Sequence, residues 1–145
     1  MRLEFLCDLE LTYRAMSTFG TDVLFVKPYG TEEGTAYGEG DGRVSGPQLN
    51  GAVRWVNHPH RRSDGVMIPD AHGAVLTDDG AVLLFNLQGR TSFVGEQGHQ
   101  LLRMLFETEA DRYRWLNSAL CVLEGVIEHR RMHARVYVCI NELAS

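Results

Sequence analysis

The first fourteen residues, MRLEFLCDLELTYR, alternate almost perfectly between apolar and polar side chains with a period of two. Leu3, Phe5, Cys7, Leu9, Leu11 and Tyr13 fall on one side, and Arg2, Glu4, Asp8, Glu10, Thr12 and Arg14 on the other. Successive side chains of a β-strand point to opposite faces, so the pattern predicts a long strand with one dry and one wet side. A helix would spread the same residues around its circumference. Leu3, Phe5, Leu9 and Leu11 are therefore expected in the core, and Glu4 and Glu10 outside it.

The rest of the chain repeats this plan less clearly. Residues 22–29 (DVLFVKPY) are apolar enough for a strand that ends at Pro28 and Gly30. Residues 31–42 are polar and glycine-rich, with at most one short strand near 35–37, and Gly38–Gly42 reads as a flexible turn. Residues 43–57 suggest a bent strand interrupted at Gly46-Pro47 and Gly51. Residues 66–77 and 81–89 flank Asp78-Asp79-Gly80, where Gly80 can take the positive φ of a tight hairpin. Residues 101–108, 115–128 and 133–141 complete about eight or nine strands. A helix over 109–120 would put Tyr113, Leu116 and Leu120 on one side. Asn117-Ser118 are poor helix-interior residues, however, and the CVLEGVI that follows is strand-like, which favours a strand there.

Many short strands separated by turns, in a chain with fifteen glycines, point to a barrel or a sandwich. Closure leaves no exposed edges, and this favours the barrel. The expected fold is all-β: one antiparallel up-and-down β-barrel of about eight or nine strands, occupying residues 1–145 as a single domain. A net charge of −5 argues against a nucleic-acid binder, which needs a concentrated positive surface. The two basic clusters, His60-Arg61-Arg62 and His129-Arg130-Arg131, each sit beside an acid and read as solvated loops. No run approaches the ~20 apolar residues of a membrane-spanning helix, and Glu4 stands where a signal peptide would turn apolar. Cys7, Cys121 and Cys139 are odd in number, widely spaced and set in apolar patterns. They read as buried free thiols of a cytoplasmic protein.

Four landmarks occur in order: GPQLNG at 46–51, Trp55, DGVMIPDAHGAVLTDDGA at 64–81 and FETEADRYRWLN at 106–117. With these the sequence resembles the domain of unknown function 3237 family, small calycin-like β-barrels of bacteria and fungi. The resemblance runs over nearly the whole chain and is clearest from Gly46 to Asn117. Two loops depart from the family pattern. VNHPHRRS at 56–63 is longer and richer in histidine, and TSFVGEQGHQ at 91–100 is short. Both are expected near a barrel mouth. The resemblance implies a barrel with a pocket, without implying a reaction.

Several residues are candidates for that pocket. Asp70 and His72 are two apart on a strand and share a face with Ile68, Ala74 and Leu76. A carboxylate beside an imidazole orients it and raises its basicity, which suits a general base; the alternative is a structural ion pair in or at the rim of the barrel. Asn86, Gln88 and Arg90 form a polar row opposite in parity to Leu83, Phe85 and Leu87. The polar row lines the lumen if the apolar row packs outside, and is otherwise a solvated face. Hairpin pairing brings His72 near Asn86, with Arg90 as an anchor for a carboxylate or enolate. Trp55, Tyr113, Trp115 and Asn117 suggest an aromatic wall carrying one amide, or ordinary core residues. His58 and His60 share a face, and with His72 could make a three-histidine zinc site. Arg61-Arg62 beside them argue against it, and no metal or other cofactor is expected.

No nucleophile-elbow, P-loop or dinucleotide-binding motif is present. The residues thus suggest a cofactor-independent lyase, isomerase or cyclase acting on a small aromatic or cyclic metabolite, with His72 and Asp70 moving the proton. The alternative is a non-catalytic binding barrel for a hydrophobic metabolite. The number of apolar strands exceeds what one short lumen can hold, so a homodimer is expected.

Overall fold

The structure, a computed structural model, describes residues 1–14 and 23–144. Its strands are β1 (Arg2–Tyr13), β2 (Val23–Val26), β3 (Gly34–Ser45), β4 (Gly51–Asn57), β5 (His60–Arg61), β6 (Met67–Ile68), β7 (Asp70–Thr77), β8 (Val82–Val94), β9 (Gln97–Glu107), β10 (Cys121–Glu128) and β11 (Arg131–Ile140). The expected start of the second strand, at Asp22, lies outside the described residues. Eight strands close an antiparallel barrel, in the order β1, β3, β4, β7, β8, β9, β10, β11 and back to β1. Each follows its neighbour along the chain, the up-and-down arrangement expected from the sequence. The short strands lie off this cycle: β2 pairs with β3, and β5 and β6 bridge β3 to β8. No helix among the described residues is long and apolar enough to cross a membrane.

Strand β1 folds as predicted, but its dry face switches sides. The pairing with β11 runs Phe5↔Tyr137 and then Cys7↔Val136, leaving Leu6 as the extra residue of a β-bulge. A bulge inverts the parity of all that precedes it. Leu6, Cys7, Leu9 and Leu11 are buried, whereas Leu3 and Phe5 are 51% and 44% exposed, against the expectation that they lie in the core. Phe5 instead meets the Tyr137 ring edge-on, on the outside of the barrel.

The glycine-rich segment also differs from its sequence reading. Residues 34–45 form one long strand, not a turn with a short strand. Its inward row is Gly34, Ala36, Gly38, Gly40, Gly42 and Val44. A Cβ on Gly40 would stand 1.9 Å from the Thr12 carbonyl oxygen, so only glycine lets β1 approach this closely.

The strand expected over 115–128 begins only at Cys121, and residues Asp111–Ser118 before it form a 3₁₀ helix. A 3₁₀ helix repeats every three residues, and Tyr113 and Leu116 share its buried side. Asn117 holds the segment by its side chain, accepting from Thr108 N at 2.7 Å and donating to Thr108 O at 2.8 Å. These side-chain-to-backbone bonds compete successfully with strand formation. The helix closes one end of the barrel against the β7–β8 turn, where Gly80 takes a φ of +91°. There Asp79 accepts hydrogen bonds from the Tyr113 hydroxyl at 3.0 Å, Thr77 Oγ1 at 2.5 Å and Arg112 Nη1 at 2.5 Å. Those bonds, Thr77 first, hold its carboxyl below the usual carboxylate range.

Two outcomes test this account. Leu9→Ala should cost about 2–5 kcal/mol in chemical denaturation, while Phe5→Ser should stay within roughly 1 kcal/mol of wild type if the bulge is correctly placed. A carboxyl whose folded pKa is depressed stabilises above its unfolded pKa and loses that contribution as pH falls through the folded value. The melting-temperature gap between wild type and Asp79→Asn should therefore be widest near neutrality and narrow below the ordinary carboxylate range.

Candidate functional site

With one end sealed by the 3₁₀ helix, the polar interior lies toward the other end, near the β4–β7 and β10–β11 connections. Tyr13 ends β1, Trp55 and Asn57 lie on the inner face of β4, Ala71 on β7, Leu87 on β8, Gln100 and Leu102 on β9, and Met132 on β11. With Leu11, Pro69 and Ile127 they enclose a cavity of about 20 Å³, room for one water-sized group. The Tyr13 and Trp55 rings meet edge to face at 4.5 Å. Among the described residues, no ionisable side chain other than the Tyr13 phenol lines this cavity.

The polar atoms here divide into paired and unpaired. Asn57 Nδ2 donates to the Tyr13 hydroxyl at 3.0 Å, and Asn57 Oδ1 accepts from the backbone N–H of Asp70 at 3.0 Å. Gln100 Nε2 donates to Thr91 Oγ1 at 3.1 Å. Trp55 Nε1 and Gln100 Oε1 are buried without a partner among the described residues. Rotating the Gln100 amide would only exchange which of its atoms is unpaired. Burial raises the Tyr13 phenol above its ordinary pKa, an effect that the Asn57 bond offsets only in part, so the group is neutral at physiological pH.

Of the residues singled out in the sequence, Trp55 alone reaches this cavity. On β7 and β8 the apolar rows Ala71, Val75 and Leu83, Phe85, Leu87 fill the lumen, which turns Asp70, His72, Asn86, Gln88 and Arg90 outward. The expected pairing is present: His72 lies opposite Asn86, and its Nε2 is 3.2 Å from Asp70 Oδ1. Gln88 donates to the same carboxylate at 3.4 Å and accepts from Arg103. This network is on the barrel's outer wall, with the His72 and Asp70 side chains 59% and 47% exposed. Arg90 donates to the adjacent Gly89 carbonyl at 2.8 Å. Asn86 Oδ1 is also buried and unpaired among the described residues, but Asn86 lies opposite His72 on the outward row and not among the residues that line the lumen cavity.

Tyr113 is buried in the sealed end, and Trp115 is half exposed on the 3₁₀ helix; the shared strand face expected for Trp115 and Asn117 does not form. Asn117 borders an open groove of about 900 Å³ with Val82, Leu84 and Thr108. That groove is the larger concavity, yet the Asn117 amide is engaged with Thr108 and no buried side-chain polar atom of its lining residues is without a partner among the described residues. His58 stacks near Tyr37, His60 contacts Thr35, and no three His, Cys, Asp or Glu side chains among the described residues converge as metal ligands. Cys7 and Cys121 are buried thiols, pushed up to about 12 and about 11 chiefly by desolvation, which makes them poor nucleophiles.

The missed lumen residues are Tyr13, Asn57, Thr91 and Gln100. Tyr13 was legible as the last inward member of the β1 alternation. Asn57 continues Val53 and Trp55 at a spacing of two, and Gln100 precedes Leu102, Met104 and Phe106 in the same way.

Comparison with known proteins agrees with the fold. The chain matches the family described as protein of unknown function (DUF3237) over residues 1–139, and it belongs to that family. A β-barrel-like protein of Acinetobacter baumannii superposes with a TM-score of 0.83 at 19% identity, covering 94% of each chain. An enzyme from Penicillium herquei superposes with a TM-score of 0.70 at 22% identity, covering 94% of this chain and 93% of its own. In sequence, the hydroalkoxylation enzyme phnH of Penicillium herquei is 31% identical over 78 residues, which are 53% of this chain and 47% of that protein. The chain thus spans about half the length of the curated relative it matches.

Since His72 is solvent-facing, His72→Gln should move the unfolding free energy by no more than about 0.5 kcal/mol. Trp55→Phe removes the unpaired N–H but also part of a buried ring, so the two effects oppose each other and thermal denaturation should show a loss well below the roughly 3–5 kcal/mol of a Trp→Ala core truncation.

Proposed function

We propose that this protein is a small-molecule barrel that admits the oxygen-bearing tip of a neutral organic ligand into the polar end of its lumen. There it carries out cofactor-independent proton-transfer chemistry, of the elimination, isomerisation or cyclisation kind, on a small aromatic or cyclic metabolite. The observation that carries this reading is that two residues lining one cavity, Trp55 and Gln100, each hold a buried polar atom, Nε1 and Oε1, without a partner among the described residues. A buried polar group without a partner costs about 1–3 kcal/mol, and most such groups in native proteins are satisfied. A single hydroxyl has the valences to accept from the indole N–H and donate to the amide oxygen. The wall around them is apolar or neutral, so a carboxylate, phosphate or ammonium would enter without a counter-charge.

A cavity of about 20 Å³ holds only the tip of such a ligand, and its body would have to displace Met132 and Ile127 at the rim. Methionine is unbranched and adapts readily to such a demand. The similarity to phnH supports the chemical class, since hydroalkoxylation adds an O–H across a carbon–carbon double bond with no redox partner. The non-catalytic binding barrel is the second reading. It is favoured by the lack of any cavity-lining acid or base other than a phenol among the described residues.

Thermal-shift and calorimetric titrations with 2-naphthol, 2-naphthoate and naphthalene would test the proposal. The alcohol should bind best, and Trp55→Phe and Gln100→Leu should each weaken it by about tenfold. Tighter binding of the carboxylate, or affinity for the alcohol untouched by both substitutions, would refute a lumen site.

A further inference from the structure

We infer that the Asp70 backbone N–H and Asn57 together fix Tyr13 as a one-way hydrogen-bond donor into the lumen, and that the ligand group it meets is an uncharged oxygen, carbonyl or hydroxyl, that accepts its proton. This rests on the lumen site proposed above and names the chemistry that site recognises. A backbone N–H can only donate, so the Asn57 atom 3.0 Å from Asp70 N must be the oxygen. The other end of the amide is then its NH₂, which can only donate, and it meets the Tyr13 hydroxyl at 3.0 Å. The hydroxyl oxygen is thereby committed as an acceptor toward Asn57, and its proton must point elsewhere. No acceptor for that proton occurs among the described residues, and both Tyr13 and Asn57 line the cavity.

Tyr13, Trp55 and Asn57 are all more than nine-tenths buried, and the two rings are in contact. The cavity therefore offers two donors, the Tyr13 O–H and Trp55 Nε1–H, against one acceptor on Gln100. A carbonyl oxygen and a hydroxyl oxygen each have two lone pairs and can accept both donors, and a hydroxyl also carries the proton that Gln100 can accept. Two preorganised donors in a water-poor site also stabilise negative charge developing on that oxygen, as in an enolate. Tyr13 would touch the ligand; Asn57 acts through Tyr13 and is a positioning residue.

The experiment uses 4-dimethylaminocinnamaldehyde, a neutral conjugated aldehyde whose absorption moves to the red when its carbonyl accepts hydrogen bonds. It is titrated with wild type, Tyr13→Phe, Asn57→Asp and Trp55→Phe, each verified by far-UV circular dichroism and melting. Asn57→Asp keeps an acceptor for Asp70 N but replaces the donor facing Tyr13 with a second acceptor, which turns the Tyr13 proton away from the lumen. Expected are saturable binding and a red shift with wild type. Tyr13→Phe and Asn57→Asp should both lose most of the shift and about tenfold in affinity. If Asn57→Asp fails to fold, Tyr13→Phe decides alone. An unchanged shift in Tyr13→Phe, with the shift lost in Trp55→Phe, would overturn the role of Tyr13 and leave the lumen site standing. Absence of saturable binding to wild type would overturn both.

Discussion

Strand β1 is hydrogen-bonded along both edges, to β11 on one side and β3 on the other, and barrel closure depends on that double pairing. The β3 seam is possible only because glycine stands where the strands converge. Tyr13 lies opposite Gly40 and Leu11 opposite Gly42, and a Cβ at either glycine would stand within 2 Å of a β1 carbonyl oxygen. The bareness of the inner β3 row has a second effect. Space that side chains of β3 would have filled is taken by Tyr13 from one neighbouring strand and Trp55 from the other. The contact that closes the barrel thus also brings the two principal lumen aromatics together.

Closure removes water from the interior, and the two ends of the barrel respond differently. At the sealed end Thr77, Asp79, Tyr113 and Arg112 form a hydrogen-bonded cluster that ties the β7–β8 turn to the 3₁₀ helix. The cluster is exposed at Asp79 and Arg112, but its bonds converge on one carboxylate and pin the turn to the helix. At the other end the Asn57–Tyr13 and Gln100–Thr91 pairs are each complete at one side and open at the other, beside an indole N–H with no partner. Such a half-satisfied cluster adds little to stability on its own and offers valences to an incoming molecule. The difference separates the part of the fold that holds the barrel shut from the part that, in the proposed function, meets a ligand.

The strand count, the up-and-down order and the hairpin at Asp78-Asp79-Gly80 were legible because period-two alternation and turn chemistry act locally. The reversal at Leu3 and Phe5 was less so, since one extra residue flips a face without changing composition; the only trace is the apolar triplet Phe5-Leu6-Cys7, which breaks the alternation. The glycines of β3 read as a turn because their role lies in a close approach to a strand distant in sequence, which no local pattern records. The 3₁₀ helix depends on Asn117 reaching back to Thr108 and on Asp79 reaching across, both tertiary bonds. The site followed the same rule. Hairpin register correctly brought His72 to Asn86, but which side of a strand faces inward is decided by the whole sheet. The apolar row took the lumen, leaving the acid–base pair to solvent.

The character of the lumen limits what chemistry the proposed reading can ask of it. Burial holds the Tyr13 phenol protonated, so it is unsuited to act as a resident base near neutral pH. What Tyr13 and Trp55 can supply is a pair of fixed donors for an oxygen on which negative charge grows, and Gln100 can steady a hydroxyl by accepting its proton in a hydrogen bond. Under those terms the nucleophile and the electron-accepting carbonyl must both arrive on the substrate. An intramolecular addition or its reverse meets that condition, because one molecule carries both groups and the barrel need only hold them in contact. Holding reacting groups together is itself a large source of rate, worth about 7–11 kcal/mol in well-oriented cases, and asks no ionised side chain of the protein. A lumen so poor in charge is therefore compatible with catalysis of this kind, and poorly matched to bimolecular hydrolysis, in which water would have to be activated within it.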